Sequence, residues 1–378
     1  MKITILGGGI AGLTTAIALQ KAGFNTEVFE AAPEIKAVGA GLGLAPNAIK
    51  AFQQLGIAEK VISLGAKWPF FSILNQQGKV ISKNDSAVIG DKYGLDNFTI
   101  HRAELHLALL SELDPKCIFT GKRAIDITRT GKNIRLQFAD GSYHNTACLI
   151  VADGINSVVR NRIVPGAKLR YSGYTCWRAV IDNAGEAPLG ATETWGAKGR
   201  VGIIPLSNNR IYWFACINAH ADDAKYTAFK VEDIYFHFRH YHNPIPSILA
   251  QTKDAQLLHN DIYDLRPLKQ FAYGNVLLLG DAAHATTPNM GQGACQAIED
   301  AVVLAEEMAK HRNYEAAFPA FEKRRLQRTN DIIKQSRQVG RAAQLENSWL
   351  IAMRNMVLSS LPESVRMKQF EKLYTVDF

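Results

Sequence analysis

Apolar runs of strand length alternate with helical patterns along the first 30 residues of the chain. Lys2 to Leu6 predicts a buried strand, Gly12 to Ala22 predicts a helix, and Thr26 to Glu30 predicts a second strand. This order is typical of a βαβ unit. Two later apolar runs, Cys148 to Ala152 and Asn275 to Leu279, predict further buried strands of the same domain.

The pattern changes in the middle of the chain. From Tyr171 to Ile217 aromatic and β-branched residues dominate, with turns predicted at Ala197 to Gly199 and at Ser207 to Asn209. A helical pattern follows the last apolar strand, from about Ala294 to Lys310. We therefore predict an α/β fold with a discontinuous Rossmann-like domain, an inserted mixed β-sheet domain and C-terminal helices. The predicted boundaries are 1–70, 100–170 and 270–345 for the first domain, 71–99 and 171–269 for the inserted domain, and 346–378 for the C-terminal helical segment.

Composition narrows the class of protein. With 378 residues, 47% hydrophobic and 21% charged, the chain is long enough for two globular domains. Its longest apolar runs are of strand length, so we predict no stable membrane insertion. The five cysteines are scattered, which predicts reduced thiols, no metal site and a cytoplasmic protein.

The net charge of +8 is dispersed along the chain. Its densest cluster, from Glu322 to Arg328, mixes both signs on a predicted helix, which favours a solvated helix face over a nucleic-acid-binding patch. We therefore predict no nucleic-acid partner. A mildly positive field would still attract anionic ligands.

A glycine fingerprint follows the first strand. Gly7, Gly9 and Gly12 fit the pattern G-x-G-x-x-G, in which the glycines allow a tight turn, close approach of a pyrophosphate, and close packing of helix on strand. Glu30 ends the second strand at the distance expected of an acid that accepts the ribose hydroxyls. The alternative is a glycine-rich turn with a purely structural role.

Three more candidate residues lie at predicted ends of helices and strands. Arg102 begins a helix, where a positive charge is unfavourable by about 0.3–1 kcal/mol unless an anion or a neighbour such as Glu104 offsets it. Asp153, with Gly154, and Asp281, with Gly280, follow apolar strands, at the edge of an α/β sheet where ligands bind. Either acid is alternatively the N-cap of the following helix.

The loop from Pro288 to Gly293 leads into a helix that begins near Ala294. Exposed amides at a helix start form an anion site, which here would favour negative charge on a bound ligand. His284, in the same region, is predicted to serve packing rather than catalysis.

Together these motifs resemble the single-component, class A FAD-dependent aromatic monooxygenases, the para-hydroxybenzoate hydroxylase family. The similarity covers nearly the whole chain and includes, in the family's order, the glycine fingerprint, the segment VADGINSVVR and the segment from Gly280 to Pro288. The cofactor-binding residues that the resemblance implies are Gly7, Gly9, Ala11, Gly12, Glu30, Gly41, Arg102, Asp153, Gly154, Gly280, Asp281, Pro288, Gly291, Gln292, Gly293 and Ala294.

Within that family, the segment HATTPNMGQGACQAIEDA looks most like the subgroup of FAD-dependent urate hydroxylase and zeaxanthin epoxidase. The resemblance puts the substrate-site residues of the urate enzyme at Arg200 and Tyr212. Arg200 is alternatively a turn residue, and Tyr212 a core aromatic. Trp195, Trp213 and Phe214 are candidates either for the pocket lining or for the core.

The function that the resemblance implies is a monooxygenase with bound FAD. NADPH or NADH, which would dock without a Rossmann domain of its own, would reduce FAD. O2 would then form a flavin C4a-hydroperoxide that hydroxylates a small aromatic or heteroaromatic substrate. Arg200 would hold an anionic substrate, and Tyr212 would assist proton movement.

Alternatives remain open on function and assembly. One alternative enzyme is an FAD-dependent dehydrogenase or reductase of a non-aromatic substrate, and a non-enzymatic one is a flavin-bearing sensing module. We predict a monomer or homodimer. The segment from Leu350 to Leu361 is predicted to be a core or dimer-contact helix rather than a membrane-surface helix.

Overall fold

A computed structural model of the chain describes residues 2–34, 39–94 and 97–378, apart from the side chain of residue 369. The strands are β1 (Lys2–Leu6), β2 (Asn25–Phe29), β3 (Gly41–Leu44), β4 (Ala66–Lys67), β5 (Phe70–Asn75), β6 (Val80–Asp85), β7 (Phe98–His101), β8 (Ile118–Phe119), β9 (Ala124–Thr130), β10 (Asn133–Phe138), β11 (Tyr143–Thr146), β12 (Leu149–Val151), β13 (Leu169–Asp182), β14 (Ala191–Gly196), β15 (Gly199–Leu206), β16 (Arg210–Asn218), β17 (Leu258–Leu265), β18 (Ala272–Tyr273) and β19 (Val276–Leu278). The helices are α1 (Ile10–Lys21), α2 (Pro46–Gln54), α3 (Ala58–Leu64), α4 (Ser86–Tyr93), α5 (Arg102–Leu110), α6 (Val158–Ile163), α7 (Ala224–Thr227), α8 (Val231–Phe238), α9 (Ile245–Gln251), α10 (Asp281–His284), α11 (Gly293–His311), α12 (Tyr314–Ala343), α13 (Ser348–Ser360) and α14 (Glu363–Tyr374), with 3₁₀ turns at Pro115–Cys117, Asp254–Gln256 and Pro288–Met290.

The first sheet has six strands in the order β18-β19-β12-β1-β2-β8, and every pair is parallel except β18 with β19. The predicted βαβ unit is therefore present as β1, α1 and β2, and the two distant apolar runs form neighbouring strands, β12 and β19. Core side chains of the central strand, such as Ile3 and Ile5, are fully buried, which explains their continuous apolar sequence. The predicted α/β class with a Rossmann-like domain is confirmed.

The carboxyl ends of these strands meet at one edge of the sheet. The amide of Gly7 donates to the carbonyl of Phe29 at 2.8 Å, and the amide of Ala152 donates to the carbonyl of Leu6 at 2.7 Å. The amide of Leu279 donates to the carbonyl of Val151 at 2.9 Å. Segments that are more than 100 residues apart thus emerge side by side, and the residues that follow these strands are brought together.

A second sheet has seven strands in the order β17-β13-β16-β15-β14-β5-β6, antiparallel except for β14 with β5. Because side chains alternate along a strand, the sheet has two faces. One face, which we call the inner face, contacts β3 and the loop at Asn289. It carries Tyr174, Cys176, Arg178, Glu193, Arg200, Tyr212, Phe214 and Cys216. Helices α8 and α9 cover the opposite, outer face.

The outer face explains two of the tryptophans. Trp177 and Trp213 are fully buried there in a separate core with residues of α8 and α9. The indole Nε1 of Trp213 donates to Thr252 at 2.9 Å. Of the aromatic candidates for a pocket lining, Trp213 therefore belongs to the core, whereas Trp195 and Phe214 lie on the inner face.

The C-terminal segment is helical, as predicted. In α13, Trp349, Met353 and Met356 are exposed, while the guanidinium of Arg354 lies 5.0 Å from the ring centre of Trp195. Within the described residues, no helix is both long and apolar enough to cross a membrane. The exact domain boundaries and the contact made by α13 stay predictions.

Candidate active site

The glycine fingerprint is sterically required at two of its three positions. A Cβ on Gly7, whose φ is +108°, would lie 2.3 Å from the carbonyl oxygen of Ala152, and a Cβ on Gly12 would lie 1.8 Å from the oxygen of Gly7. A Cβ on Gly9 would meet nothing within 4 Å. Gly9 is the N-cap of α1 and no side chain caps this helix, so its first amides face open space.

Glu30 lies against this loop. Its carboxylate accepts the amide of Gly8 at 2.6 Å and the amide of Ala32 at 2.7 Å. His106 of α5 contacts the carbonyl of Gly8 from the other side, at 2.6 Å. These bonds fix the carboxylate at the end of β2, and a carboxylate has lone pairs left for further donors.

Arg102 is an exposed cation at the first position of α5. Its side chain packs on Gly39, where a Cβ would lie 2.9 Å from Cβ of Arg102. The alternative pairing with Glu104 is wrong, since Glu104 binds Arg210 at 2.6 Å. Within residues 2–34, 39–94 and 97–378 Arg102 makes no ion pair, so it is available to an anionic ligand.

Asp153 and Asp281 face a buried arginine that the sequence analysis missed. Arg160 is 1% exposed, and burial lowers the pKa of its guanidinium, an effect that the charges of Asp153 and Asp281 oppose. Burial raises the pKa of Asp153, opposed by a hydrogen bond from Ser157 and by Arg160. In the described part of the chain, Oδ1 of Asp153 and Nε of Arg160 are buried without a partner, which is unusual unless a ligand completes them.

The turn at Gly280 packs against the glycine fingerprint at the start of α1. Gly280 has a φ of +59°, and a Cβ there would lie 2.8 Å from Cβ of Ala11 in α1. Asp281 is therefore held, exposed, close to the glycine fingerprint. Thr286, a few residues further on, has a buried hydroxyl with no partner among the described residues.

The loop from Pro288 to Ala294 has the predicted open helix start. Gly291 is exposed and left-handed, with a φ of +63°, and α11 begins at Gly293. The residue before it, Gln292, makes no side-chain cap and is instead buried, with its Oε1 accepting from Asn47 at 3.0 Å. The first amides of α11 are consequently free of side-chain caps.

A buried ion network supports this loop and the turn at Gly280. Arg325 of α12 donates to Asp300 at 2.7 Å and also pairs with Glu299. The second oxygen of Asp300 contacts the amide of Gly280 at 3.0 Å and His284 Nε2 at 2.6 Å. Although burial opposes it, His284 and Arg325 hold the pKa of Asp300 at about 2.

Two sequence predictions concern this network. His284 is buried and bonded to Asp300, and its predicted role in packing rather than catalysis stays a prediction. The prediction of a solvated face for the cluster at 322–328 is wrong for Arg325, which is 2% exposed, and for Arg328, which binds Glu299 at 2.8 Å. The missed signal is the acidic pair Glu299 and Asp300 directly before the apolar run Ala301 to Ala305 of α11.

Arg200 joins the seven-stranded sheet to the loop after Pro288. It is 2% exposed and lies within β15, so the alternative of a turn residue is wrong. Its guanidinium binds Glu193 at 2.9 Å, the side-chain oxygen of Asn289, and the hydroxyl of Tyr174 at 3.3 Å. Nε of Arg200 is buried and unpartnered within the described residues.

Tyr212 borders the same space. Its ring lies against Gly41, where a Cβ would come within 2.5 Å of the ring, so this position of β3 has no room for a side chain. Burial raises the pKa of Tyr212, so its phenol stays protonated at neutral pH. Phe214 is next along the inner face, with ring centres 6.1 Å apart.

A second inner-face cation was not identified from the sequence. Arg178 is half-buried; it contacts the side-chain oxygen of Asn260 at 3.5 Å and also hydrogen-bonds the sulfur of Cys176. Arg200 has its charge balanced by Glu193, whereas no carboxylate of the described chain pairs with Arg178. The inner face therefore holds one balanced and one unbalanced arginine.

Comparison with known proteins identifies the family. A family model described as "FAD binding domain" matches residues 1–336. The chain is 34% identical to aurachin C monooxygenase/isomerase of Stigmatella aurantiaca, over 95% of this chain and 94% of that protein. It is 33% identical to 2-heptyl-3-hydroxy-4(1H)-quinolone synthase of Pseudomonas aeruginosa, with 99% and 98% covered, and 30% identical to FAD-dependent urate hydroxylase of Klebsiella oxytoca, with 89% of each covered.

A solved structure agrees along the whole fold. HpxO of Klebsiella pneumoniae, complexed with FAD and uric acid, superposes with a TM-score of 0.91 at 27% identity, over 99% of this chain and 96% of that one. The chain belongs to this FAD-binding family, among the class A aromatic hydroxylases. It is an FAD-dependent monooxygenase of aromatic or heteroaromatic substrates. The names of these relatives favour this function over the alternative of a dehydrogenase.

We expect Arg325→Ala to destabilise the fold by about 3–5 kcal/mol, because it leaves Glu299 and Asp300 buried without their partner. FAD retention should fall with it, since Gly280 and Gln292 lose their support. Urea unfolding and the flavin absorbance of the purified protein measure both effects. Lys323→Ala, an exposed position of the same helix, is the matched control and should change stability by less than about 0.5 kcal/mol. Equal stability of the two variants would contradict the role of the network.

Proposed function

We propose that the enzyme uses NADPH or NADH and O2 to hydroxylate a bicyclic heteroaromatic ring that carries a ring oxygen, of the 4-quinolone type. The observation that carries this proposal is the buried pair of Arg200 and Glu193 on the inner face. A small anion bound by Arg200 would have to displace Glu193 or add a second buried negative charge beside it, which is costly. A largely apolar ring with one polar oxygen avoids that cost.

The surroundings support the same class of substrate. Phe214 and Tyr212 offer aromatic surface, and Arg178 offers a cation with no carboxylate partner in the described chain. A ring oxygen with partial negative charge is a suitable acceptor for that guanidinium. The 33% identity with an enzyme named for a 4(1H)-quinolone product is consistent with this choice.

The residues present fit FAD, and we propose how they hold it. The open space at Gly9 and the uncapped start of α1 suit a pyrophosphate, and Glu30 suits a ribose. The free cation of Arg102 suits a phosphate. The remaining contacts proposed are with Gly7, Ala11, Gly12, Gly41, Asp153, Gly154, Gly280, Asp281, Pro288, Gly291, Gln292, Gly293 and Ala294.

Bound FAD supplies the redox chemistry that activates O2, and the chain supplies position and charge. Arg200 ties Asn289 to the sheet and so fixes the loop beside the substrate. Arg178 and Tyr212 hold the ring oxygen, and the protonated phenol of Tyr212 can donate to it. The seven-stranded sheet covers the site and excludes water, which strengthens each of these interactions.

Urate hydroxylation is the second candidate. The TM-score of 0.91 with the uric acid complex of HpxO favours it, and Arg200 and Tyr212 are the residues that would act on urate. Because Glu193 already balances the charge of Arg200 in this chain, we place urate hydroxylation second.

Location and assembly remain predictions. Scattered cysteines are typical of a reducing compartment, so we propose the cytoplasm. We propose a monomer or a homodimer, and the exposed apolar residues of α13 are a suitable contact for the latter.

The test of function is NADPH and NADH oxidation in air by the FAD-loaded protein, with 2-alkyl-4-quinolones, urate, hydroxybenzoates and hydroxypyridines. We expect the largest stimulation with a quinolone, and one oxygen atom from isotopically labelled O2 in the product. Stimulation by urate and not by quinolones would select the second candidate. Product without labelled oxygen would overturn the hydroxylase assignment.

Two glycine variants separate cofactor binding from folding. Gly9→Ala should fold normally, because its Cβ meets nothing, but should weaken FAD binding by about tenfold or more, since the methyl fills the space proposed for the pyrophosphate. Gly12→Ala should instead destabilise the apoprotein by more than about 1 kcal/mol, because its Cβ overlaps the oxygen of Gly7. FAD titration and thermal unfolding of the apoproteins give the two readouts, and unchanged FAD affinity in Gly9→Ala would argue against the proposed site.

Arg200→Ala should keep substrate-free NAD(P)H oxidation and reduce substrate stimulation by about 100-fold, because the loop at Asn289 and the charge beside the substrate are lost together. Combining it with Glu193→Gln removes the orphaned carboxylate and keeps the experiment interpretable if the single variant is unstable. Arg135→Ala, an exposed position of β10, is the control. Normal stimulation in the double variant would remove Arg200 from the site.

A further inference from the structure

Two cysteines lie directly opposite each other on the inner face. Cys176 of β13 and Cys216 of β16 are register partners, and each is 1% exposed. Both thiols are free, as are the other three cysteines of the chain. The two thiols lie on the same face of the sheet as Arg178 and Arg200, which border the proposed substrate site.

The hydrogen bonds of the two strands define which kind of pair this is. The amide of Ala219 donates to the carbonyl of Gly173 at 3.2 Å, and the amide of Asn183 donates to the carbonyl of Asn209 at 2.9 Å. Hydrogen-bonded and non-bonded pairs alternate along an antiparallel ladder, and the register between these bonds is continuous.

Cys176 is an odd number of residues from each bonded position, so it forms a non-bonded pair with Cys216. Such pairs have Cα atoms about 4.5 Å apart. That separation lies within the range of about 4.4–6.8 Å at which a disulfide forms without moving the backbone.

The charges around the pair make the two thiols unequal. A hydrogen bond from Cys216 lowers the pKa of Cys176 against the effect of burial, and Arg178 and Arg200 act in the same direction. Burial raises the pKa of Cys216. Cys176 is thus the better nucleophile and Cys216 the protonated neighbour, the arrangement of an attacking and a resolving thiol.

We propose that Cys176 and Cys216 form a dithiol site that hydrogen peroxide oxidises to a disulfide. Peroxide is the product when reduced flavin reacts with O2 and no substrate accepts the oxygen. The sulfur of Cys176 attacks one peroxide oxygen, the O–O bond breaks, and the leaving hydroxide takes a proton to become water.

Cys216 completes the reaction. Its sulfur attacks the sulfenic acid of Cys176, the S–O bond breaks, and the hydroxyl leaves as water with the remaining thiol proton. The two sulfurs lose two electrons, which the peroxide gains, so one peroxide and two thiols give one disulfide and two waters. The site would consume peroxide where it arises, beside the flavin.

The experiment treats the FAD-loaded protein with a small excess of hydrogen peroxide and counts thiols after denaturation. We expect the count to fall from five to three, with an intact mass lower by two hydrogen atoms and a single bridged peptide pair containing Cys176 and Cys216. A thiol reductant should restore all five. NAD(P)H turnover in air without substrate should produce the same bridge.

Variants assign the reaction to this pair. Cys176→Ser and Cys216→Ser should each form no bridge, whereas Cys117→Ser, a half-buried cysteine elsewhere in the fold, should still form it. Five thiols after treatment, a bridge through another cysteine, or sulfinic acid at Cys176 without a bridge would each overturn the proposal. Because the wild-type protein alone gives the decisive result, poor folding of a variant does not affect it.

Discussion

The pairing of Arg325 with Glu299 and Asp300 is the interaction on which the site depends. These charges are buried between α11 and α12, and removing one partner would leave the others in a medium that cannot solvate them. Through Asp300 the network holds the amide of Gly280, and through Glu299 and its neighbours it holds Gln292. The turn and the loop proposed to contact the flavin therefore rest on one ionic cluster.

Arg200 extends this support to the second sheet. Arg200 and Tyr174, both on the inner face, bond the side-chain oxygen of Asn289 and so tie this face to the loop proposed to contact the flavin. Glu193 pairs with Arg200, so the two side chains together carry almost no net charge. Arg178 has no carboxylate partner among the described residues, which is why we propose that it, rather than Arg200, binds the substrate oxygen.

Local rules made much of the site predictable. Gly7, Gly9 and Gly12 follow from the strand–turn–helix geometry, and Glu30 follows from its position at the end of the next strand. The fold class was predictable for the same reason, because apolar runs of strand length between helical patterns admit few arrangements. The contact of Gly280 with Ala11 was not predictable in the same way, because it is made between segments about 270 residues apart.

The sequence by itself determined the α/β architecture, the flavoprotein family and the segments proposed to surround the cofactor, since these depend on short-range spacing and on strand ends that must share one edge. Only the tertiary structure decided which charges are buried. A run such as that around Arg325 has the same helical spacing whether it faces water or faces acids on another helix. Strand register likewise decided that Cys176 faces Cys216 and that Trp213 faces away from the site, because pairing between strands 40 residues apart is set by packing and not by local pattern.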